Sequence, residues 1–273
     1  MLEGAQPLLL VGAGKMGGAM LERWLKSGLD APDVTILDPY LEGDRWAEFA
    51  KAGTATARTV AEAADRSYKV MVLAVKPQSM ADALKQVKTL VAPDTTILSI
   101  AAGVRLSALE AGFHPNQAIV RAMPTTPAQV GMSMSVAVPN AHVTPAARMM
   151  ITQLLSSIGA HAWIDDEALL DAVTAVSGSG PAYVFLLAEC LAEAAREVGL
   201  PDVLADQLAR QTVAGSGALL AESPLAPAVL RQNVTSPGGT TAAALSVLMA
   251  KDGLQPLLTR AVEAARKRSI ELG

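Results

Sequence analysis

Apolar and polar positions follow two regimes that change near residue 164. In the first, short apolar runs alternate with segments of helical spacing. Leu8-Leu9-Leu10-Val11, Val34-Thr35-Ile36-Leu37, the run 70–75, the run 96–100 and the run 118–123 read as buried parallel strands. Helical spacing is expected from Gly17 to a stop at Ser27-Gly28, then over 46–52, 60–64 and 80–90, the last led in by Pro77. From 131 to 138, Met132, Met134, Val136 and Val138 alternate with Ser133, Ser135 and Ala137, which predicts an edge strand of the same sheet. A helix over 145–158 and a short strand-like piece at 161–164 close this part, and Asp165-Asp166-Glu167 starts the next helix by dipole compensation. These patterns define a mostly parallel α/β domain over residues 1–164 and an all-α domain over 165–273.

In the second regime the pattern is helical throughout. A helix over 166–176 is expected to end at Ser177-Gly178-Ser179-Gly180, and Pro181 restarts the chain at a first helical position. Val184, Leu187, Ala188, Leu191, Ala195 and Val198 recur at helical spacing opposite Glu189, Glu193, Arg196 and Glu197, the pattern of a long amphipathic core helix. Leu200-Pro201 stops it. Further helices are read over 203–221, where Gly215 and Gly217 would permit close helix approach, and over 225–233, 242–250 and 255–272. The last carries Arg266, Lys267 and Arg268 near its end, as the helix dipole favours. A helical part this apolar has more face than its own length can cover, which predicts a homo-oligomer; one compact bundle is the alternative.

Composition changes this picture little. Hydrophobic residues make up 51% of the chain and aromatics 3%, a mixture suited to tightly packed helices. A net charge of −4 without a long basic run gives no footprint for nucleic acid or an anionic membrane. The lone Cys190 excludes an intrachain disulfide, and the N-terminus lacks a positive leader region, so a cytoplasmic chain is expected. The longest uncharged stretches, 122–147 and 172–188, are interrupted by Pro, Gly and Ser, and no membrane span is expected.

Candidate chemistry gathers at two loops. Between the first strand and helix stands Gly12-Ala13-Gly14-Lys15-Met16-Gly17, a G-x-G-x-x-G in the context that binds a dinucleotide. Gly12 would make the turn, Gly14 would admit the pyrophosphate and Gly17 would let helix and strand pack closely. Asp38, at the end of the second strand, would hydrogen-bond a ribose 2′-hydroxyl and repel a 2′-phosphate, which favours NADH over NADPH. Arg45 lies within reach of such a phosphate, and both residues also suit a solvated loop. Strand ends line the crevice of an open parallel sheet, so Val75, Lys76 and Pro77 belong there, although Lys76 suits a surface charge equally well. The small or polar ends at Ala101-Ala102-Gly103 and Met123-Pro124 would let a nicotinamide lie close to backbone.

The second loop is Val234-Thr235-Ser236-Pro237-Gly238-Gly239-Thr240-Thr241, a helix start suited to an anion, with as many as four hydroxyls from Thr235, Ser236, Thr240 and Thr241. The same residues also suit an ordinary capping turn. His114, His142 and His161 lack metal-ligand spacing, and Cys190 sits within a helix, so neither metal nor thiol chemistry is expected. Ser177 and Ser179 have no base arranged by sequence, and a helix-joining turn accounts for them. No lysine occurs between Lys88 and Lys251, which removes the helix-borne lysine acid that hydroxyacid dehydrogenases of similar layout use. Reduction of a C=N bond that is already protonated needs little acid catalysis and fits better.

These residues carry a resemblance. The glycine loop, Val75-Lys76-Pro77-Gln78, Ser99-Ile100-Ala101-Ala102-Gly103, Arg121-Ala122-Met123-Pro124, Ser177-Gly178-Ser179-Gly180-Pro181-Ala182 and the run 234–241 together resemble the pyrroline-5-carboxylate reductase family along nearly the whole chain. The resemblance implies a Rossmann domain followed by a helical dimerisation domain, a homodimer that can assemble further into a decamer, and catalysis spanning two subunits. It implies hydride transfer from NAD(P)H to C5 of Δ1-pyrroline-5-carboxylate, giving L-proline. Ser236, Gly238, Gly239 and Thr240 would hold the substrate carboxylate, and Thr241 would hydrogen-bond the ring nitrogen. Two departures stand out. Thr125 occupies the place of the family's usual Asn near the nicotinamide, and Asp38 argues for NADH where the family often prefers NADPH. Alternatives are reduction of another small cyclic imine or of a β-hydroxyacid, against which the missing lysine counts, and a non-catalytic dinucleotide-binding oligomer.

Overall fold

A computed structural model of the protein describes residues 2–40 and 43–273. Eight strands form one sheet in the order β3-β2-β1-β4-β5-β6-β7-β8. They are β1 (Leu8–Val11), β2 (Val34–Leu37), β3 (Ala55–Ala57), β4 (Val70–Leu73), β5 (Thr96–Ser99), β6 (Ile119–Met123), β7 (Ser133–Pro139) and β8 (Gly159–Trp163). The first six are parallel, β7 runs antiparallel to β6, and β8 pairs parallel with β7.

The central strands are buried on both faces, and their side chains alternate between two cores. Leu8, Leu10, Val70, Val72 and Leu98 face a core shared with α1 (Lys15–Lys26) and α5 (Pro145–Ser156). Leu9, Val11, Met71, Leu73 and Ile97 face a core shared with α3 (Met80–Val87) and α4 (Leu106–Glu110). Burial on both faces is why these strands read as unbroken apolar runs rather than alternating ones. Trp24 of α1 is fully buried, and its indole N–H donates to the Leu154 carbonyl at 2.9 Å, tying α1 to α5.

Several expectations are corrected. The segment 131–138 supplies an interior strand, because β8 pairs with its outer side. In its first half the burial is inverted: Ser133 and Ser135 are buried while Met132 and Met134 are exposed, whereas Val136 and Val138 are buried as their pattern suggests. The inward serines are tolerated because they hydrogen-bond each other and Thr125. The helix expected over 60–64 is one 3₁₀ turn, Ala61–Ala63, and the short strand β3 and helix α4 carry too little pattern to be read. Helix α2 (Gly43–Lys51) covers the 46–52 segment.

Two compact units divide the chain. One runs to Gly178 and takes in Arg266–Gly273, and the other is Ser179–Ala265. In the first, α6 (Leu169–Val173) passes directly into a π-helical turn, Thr174–Gly178. The turn ends at Gly178 and the next helix starts at Gly180 with Pro181 in its first turn, so the Ser-Gly-Ser-Gly stretch interrupts the helix as expected. With α7 (Gly180–Glu197) the helical run Leu169–Glu197 is long and apolar enough, by length and composition, to cross a membrane.

The second unit holds α7, α8 (Asp202–Glu222), α9 (Pro227–Asn233), α10 (Thr240–Leu248) and most of α11 (Leu254–Leu272). Its buried residues, among those described, are Ala192, Ala205 and Ala209, through which α7 and α8 approach each other. Helix α7 is accordingly not a core helix within one chain: Val184, Leu187 and Leu191 of its apolar face are exposed, as are Phe185 (62%) and Leu186. A Cβ on Gly215 or Gly217 would meet nothing within 4 Å, so among the described residues no neighbour requires either to be glycine.

Candidate active site

The topology reverses between β1 and β4, and the loops that leave their C-terminal ends form the nucleotide crevice. Gly12 adopts φ +89°, and a Cβ there would meet the Ala74 carbonyl oxygen at 3.0 Å and Val75 Cγ1 at 3.2 Å. At Gly17 a Cβ would strike the Gly12 carbonyl oxygen and lie 2.9 Å from Ala74 Cβ. Gly14 differs, since a Cβ there meets nothing within 4 Å. Two glycines thus lock the loop against β4, and the third leaves its outer side open. No side chain caps α1, so its first-turn amides, at Lys15, Met16 and Gly17, are available to an anion. This cradle fits a dinucleotide pyrophosphate.

Asp38 follows β2 beside the glycine loop. Its Oδ2 accepts the Ala13 N–H at 2.8 Å and its Oδ1 accepts the Tyr40 N–H at 3.0 Å. The carboxylate is therefore fixed against the glycine loop rather than swinging in solvent. Its backbone N–H donates to the Ala57 carbonyl at 3.0 Å, which places Arg58 on the same rim. The Arg58 guanidinium lies 5.1 Å from the centre of the Trp46 ring, a cation–π pair. Its backbone N–H donates to Glu62, and that bond and one from the Thr59 hydroxyl hold the Glu62 carboxyl below its usual pKa. Sequence reading missed Arg58, because the strand that presents it is only three residues long. The side chain of Arg45 lies outside the described residues.

The other strand ends gather along the same edge. Val75 is half-buried, and Lys76 and Pro77 are exposed. Ala101 is buried, and Gly103, at φ +78°, lies against the Leu272 carbonyl at the end of α11. Met123, half-buried, ends β6 and is followed by buried Pro124. Thr125 is turned inward: its hydroxyl accepts the Met134 N–H at 3.0 Å, and its own N–H donates to Ser133 Oγ at 3.0 Å. It knits β6 to β7 and does not face the crevice. Arg121 is buried on β6, and its Nη1 bonds Glu167 Oε1 at 2.7 Å. A single arginine in an apolar strand was the available sign that a carboxylate had to meet it.

In the other unit, the run from Val234 to Thr241 joins α9 to α10. Gly238 takes φ +68°, a turn that a side chain would strain, and the Gly239 N–H donates to the Ser236 carbonyl at 3.1 Å. Gly239 is the N-cap of α10, and no side chain caps that helix. Thr235 is not among the free hydroxyls as expected, for it donates to the Arg231 carbonyl at 2.6 Å. Among the described residues the hydroxyls of Ser236, Thr240 and Thr241 have no partner in the chain. Three hydroxyls and the first amides of α10 thus surround one open turn.

Comparison with known proteins gives this geometry a context. Residues 167–272 match the pyrroline-5-carboxylate reductase dimerisation family, and residues 8–103 match the family described as NADP oxidoreductase, coenzyme F420-dependent. A pyrroline-5-carboxylate reductase of Pseudomonas aeruginosa is 39% identical over 97% of this chain and 96% of that protein. This chain belongs to the pyrroline-5-carboxylate reductase family. A member from Pisum sativum is 38% identical over 99% of this chain and 97% of that protein. Among solved structures, a family member from Coxiella burnetii superposes with a TM-score of 0.90 at 31% identity, covering 98% of this chain and 99% of that one. A Plasmodium falciparum pyrroline carboxylate reductase with NADP bound gives 0.82 at 29% identity, covering 97% of each chain. The exposed apolar face of α7 lies within the residues matched to dimerisation, which accounts for a helical unit that buries so little by itself.

Proposed function

We infer that this protein reduces Δ1-pyrroline-5-carboxylate to L-proline with a reduced nicotinamide dinucleotide, as a homo-oligomer in the cytoplasm. The observation that carries the reading is family membership along nearly the full chain. The nucleotide crevice holds the dinucleotide through Gly12, Gly14, Lys15, Met16 and Gly17, with Val75, Lys76, Pro77, Ala101, Gly103, Met123 and Pro124 lining its nicotinamide end. When bound, the reduced nicotinamide supplies a hydride. Ser236, Gly238, Gly239 and Thr240 hold the substrate carboxylate with hydroxyls and helix-start amides. Thr241 donates or accepts at the ring nitrogen and orients the C=N bond. C5 of the protonated imine takes the hydride, the π pair moves to nitrogen, and the product is a secondary amine. The chain's own task is orientation, since the iminium carbon is already a good acceptor.

Asp38 sets the cofactor preference in this reading. A fixed carboxylate suits the 2′-hydroxyl of NADH and repels the 2′-phosphate of NADPH. Mixing the protein with the cyclic imine and either cofactor, and following nicotinamide absorbance, tests both levels. Turnover with a higher kcat/KM for NADH is expected. No turnover with either cofactor rejects the function, and a tenfold preference for NADPH rejects the role of Asp38 alone. Light scattering on the native protein separates a dimer from a decamer.

A further inference from the structure

The Ser-Gly-Ser-Gly stretch has no part in the chemistry above, yet its second residue lies against Met123. Gly178 ends the π-helical turn Thr174–Gly178, an insertion type found often at functional sites. The Thr174 hydroxyl donates to the Leu170 carbonyl at 2.7 Å and the Ser177 hydroxyl to the Val173 carbonyl at 3.0 Å, which fixes the turn from both ends. A Cβ on Gly178 would lie 2.5 Å from Cε of Met123, 3.5 Å from Thr174 Cγ2 and 3.8 Å from Met123 Cγ. The terminal methyl of Met123 therefore occupies the place a side chain at 178 would take.

We propose that Gly178 is a positioning residue for hydride transfer: by having no side chain, it parks the Met123 methyl on the π turn and holds it out of the nicotinamide end of the crevice. The inference rests on the reading of Met123 as lining that end. Carbon atoms pack at about 3.5–4.0 Å, so any side chain at 178 displaces the methyl by about 1 Å or more. The obstructing atom is the far end of a flexible side chain with three rotatable bonds, so the fold accommodates the change. Met123 packs against the buried cluster of Val136, Val138 and Leu170, so a displaced methyl finds no room on that side. A bulkier residue at 178 thus acts at a distance, by pushing methionine into the cofactor's space.

Gly178→Ala, Met123→Leu, which lacks the ε-methyl, and the double variant test this. Gly178→Ala should keep its Tm within about 2 °C and raise KM for NADH about tenfold. The same variant should leave KM for the imine within about twofold and shift the Met123 resonance in a spectrum of 13C-methyl methionine. Adding Met123→Leu should return KM for NADH to within about threefold of Met123→Leu alone. An unchanged KM and an unmoved resonance in Gly178→Ala overturn the proposal, as does an equal defect in the double variant. A Gly178→Ala chain that stays unfolded even with Met123→Leu also overturns it, because the methyl is then not the obstacle. Met123→Ala separates the two levels. If it leaves dinucleotide affinity and KM unchanged, the placement of Met123 at the nicotinamide end fails. If it changes them while Gly178→Ala does not, only the role of Gly178 fails.

Discussion

Arg121 and Glu167 are joined 46 residues apart by a 2.7 Å contact, and the same Glu167 oxygen accepts the Leu106 N–H at 2.7 Å. One carboxylate thus holds the β6 strand, the start of α4 and the approach to α6. The Arg121 side chain is only 7% exposed, so Glu167→Ala leaves a buried guanidinium without its partner. A loss of about 3–5 kcal/mol is expected, read from the shift of the urea midpoint. The pair Arg121→Met with Glu167→Leu should recover most of it, since what costs most is a charge left alone.

Gly14 and Gly17 should fail in different ways. Gly17→Ala drives a methyl into the Gly12 carbonyl and Ala74, so a stability loss of about 1–3 kcal/mol should accompany weaker dinucleotide binding. Gly14→Ala meets nothing in the protein, and its Tm should stay within about 2 °C. Its dinucleotide affinity should nonetheless fall about tenfold or more, because the methyl takes the space of the pyrophosphate. Thermal melts paired with fluorescence titration separate the two.

Asp38→Ser should invert or flatten the cofactor preference. It removes a fixed negative charge and keeps a short polar group near Ala13 and Tyr40. Hydrogen bonds to charged groups contribute about 1.5–3 kcal/mol, so the ratio of kcat/KM for NADPH over NADH should rise on the order of tenfold to a hundredfold. An unchanged ratio would assign the selectivity elsewhere on the rim, with Arg58 the first residue to examine.

Two threonines of one turn should part company. Thr241→Val removes a hydroxyl that is unpartnered in the chain, and kcat should fall about tenfold to a hundredfold with little change in Tm. Thr235→Val removes a hydroxyl already bonded to the Arg231 carbonyl. That variant should keep its kcat and lose about 1 kcal/mol of stability. Equal kinetics for Thr241→Val and the unaltered protein would exclude the bond to the ring nitrogen.

The parallel core was legible because β1, β2, β4 and β5 are buried on both faces, so that β1 and β4 read as solid apolar runs and β2 and β5 as apolar runs broken only by Thr or Ser. Strand β7 misled because its inward face carries serines: hydroxyls that satisfy one another and Thr125 cannot be told, by pattern, from hydroxyls facing water. In the glycine loop, the turn at Gly12 and the close packing at Gly17 were readable, since each spacing has its own steric reason. What the second regime hid was which face is inside. Val184 and Leu187 keep the period of a core helix, but the surface that covers a dimerisation helix belongs to another copy and leaves no mark in a single chain. The fates of Thr235 and Gly178 were hidden for a related reason. Each depends on one neighbour, the Arg231 carbonyl and the Met123 methyl, that sequence spacing does not identify.

The chain's last helix does not end in the unit where it begins. The buried Ser269 hydroxyl donates to Asp171 Oδ1 at 2.7 Å, and the Leu272 carbonyl sits against Gly103. The helical unit is therefore an insertion in the chain's connectivity, entered after Gly178 and left before Arg266. A fragment cut after Gly178 would carry a buried Asp171 without its hydroxyl donor and a Gly103 loop without the Leu272 carbonyl against it. Fragments of this enzyme should be designed as a nucleotide unit closed by the tail peptide, supplied in trans or spliced across a short linker, rather than as an N-terminal half.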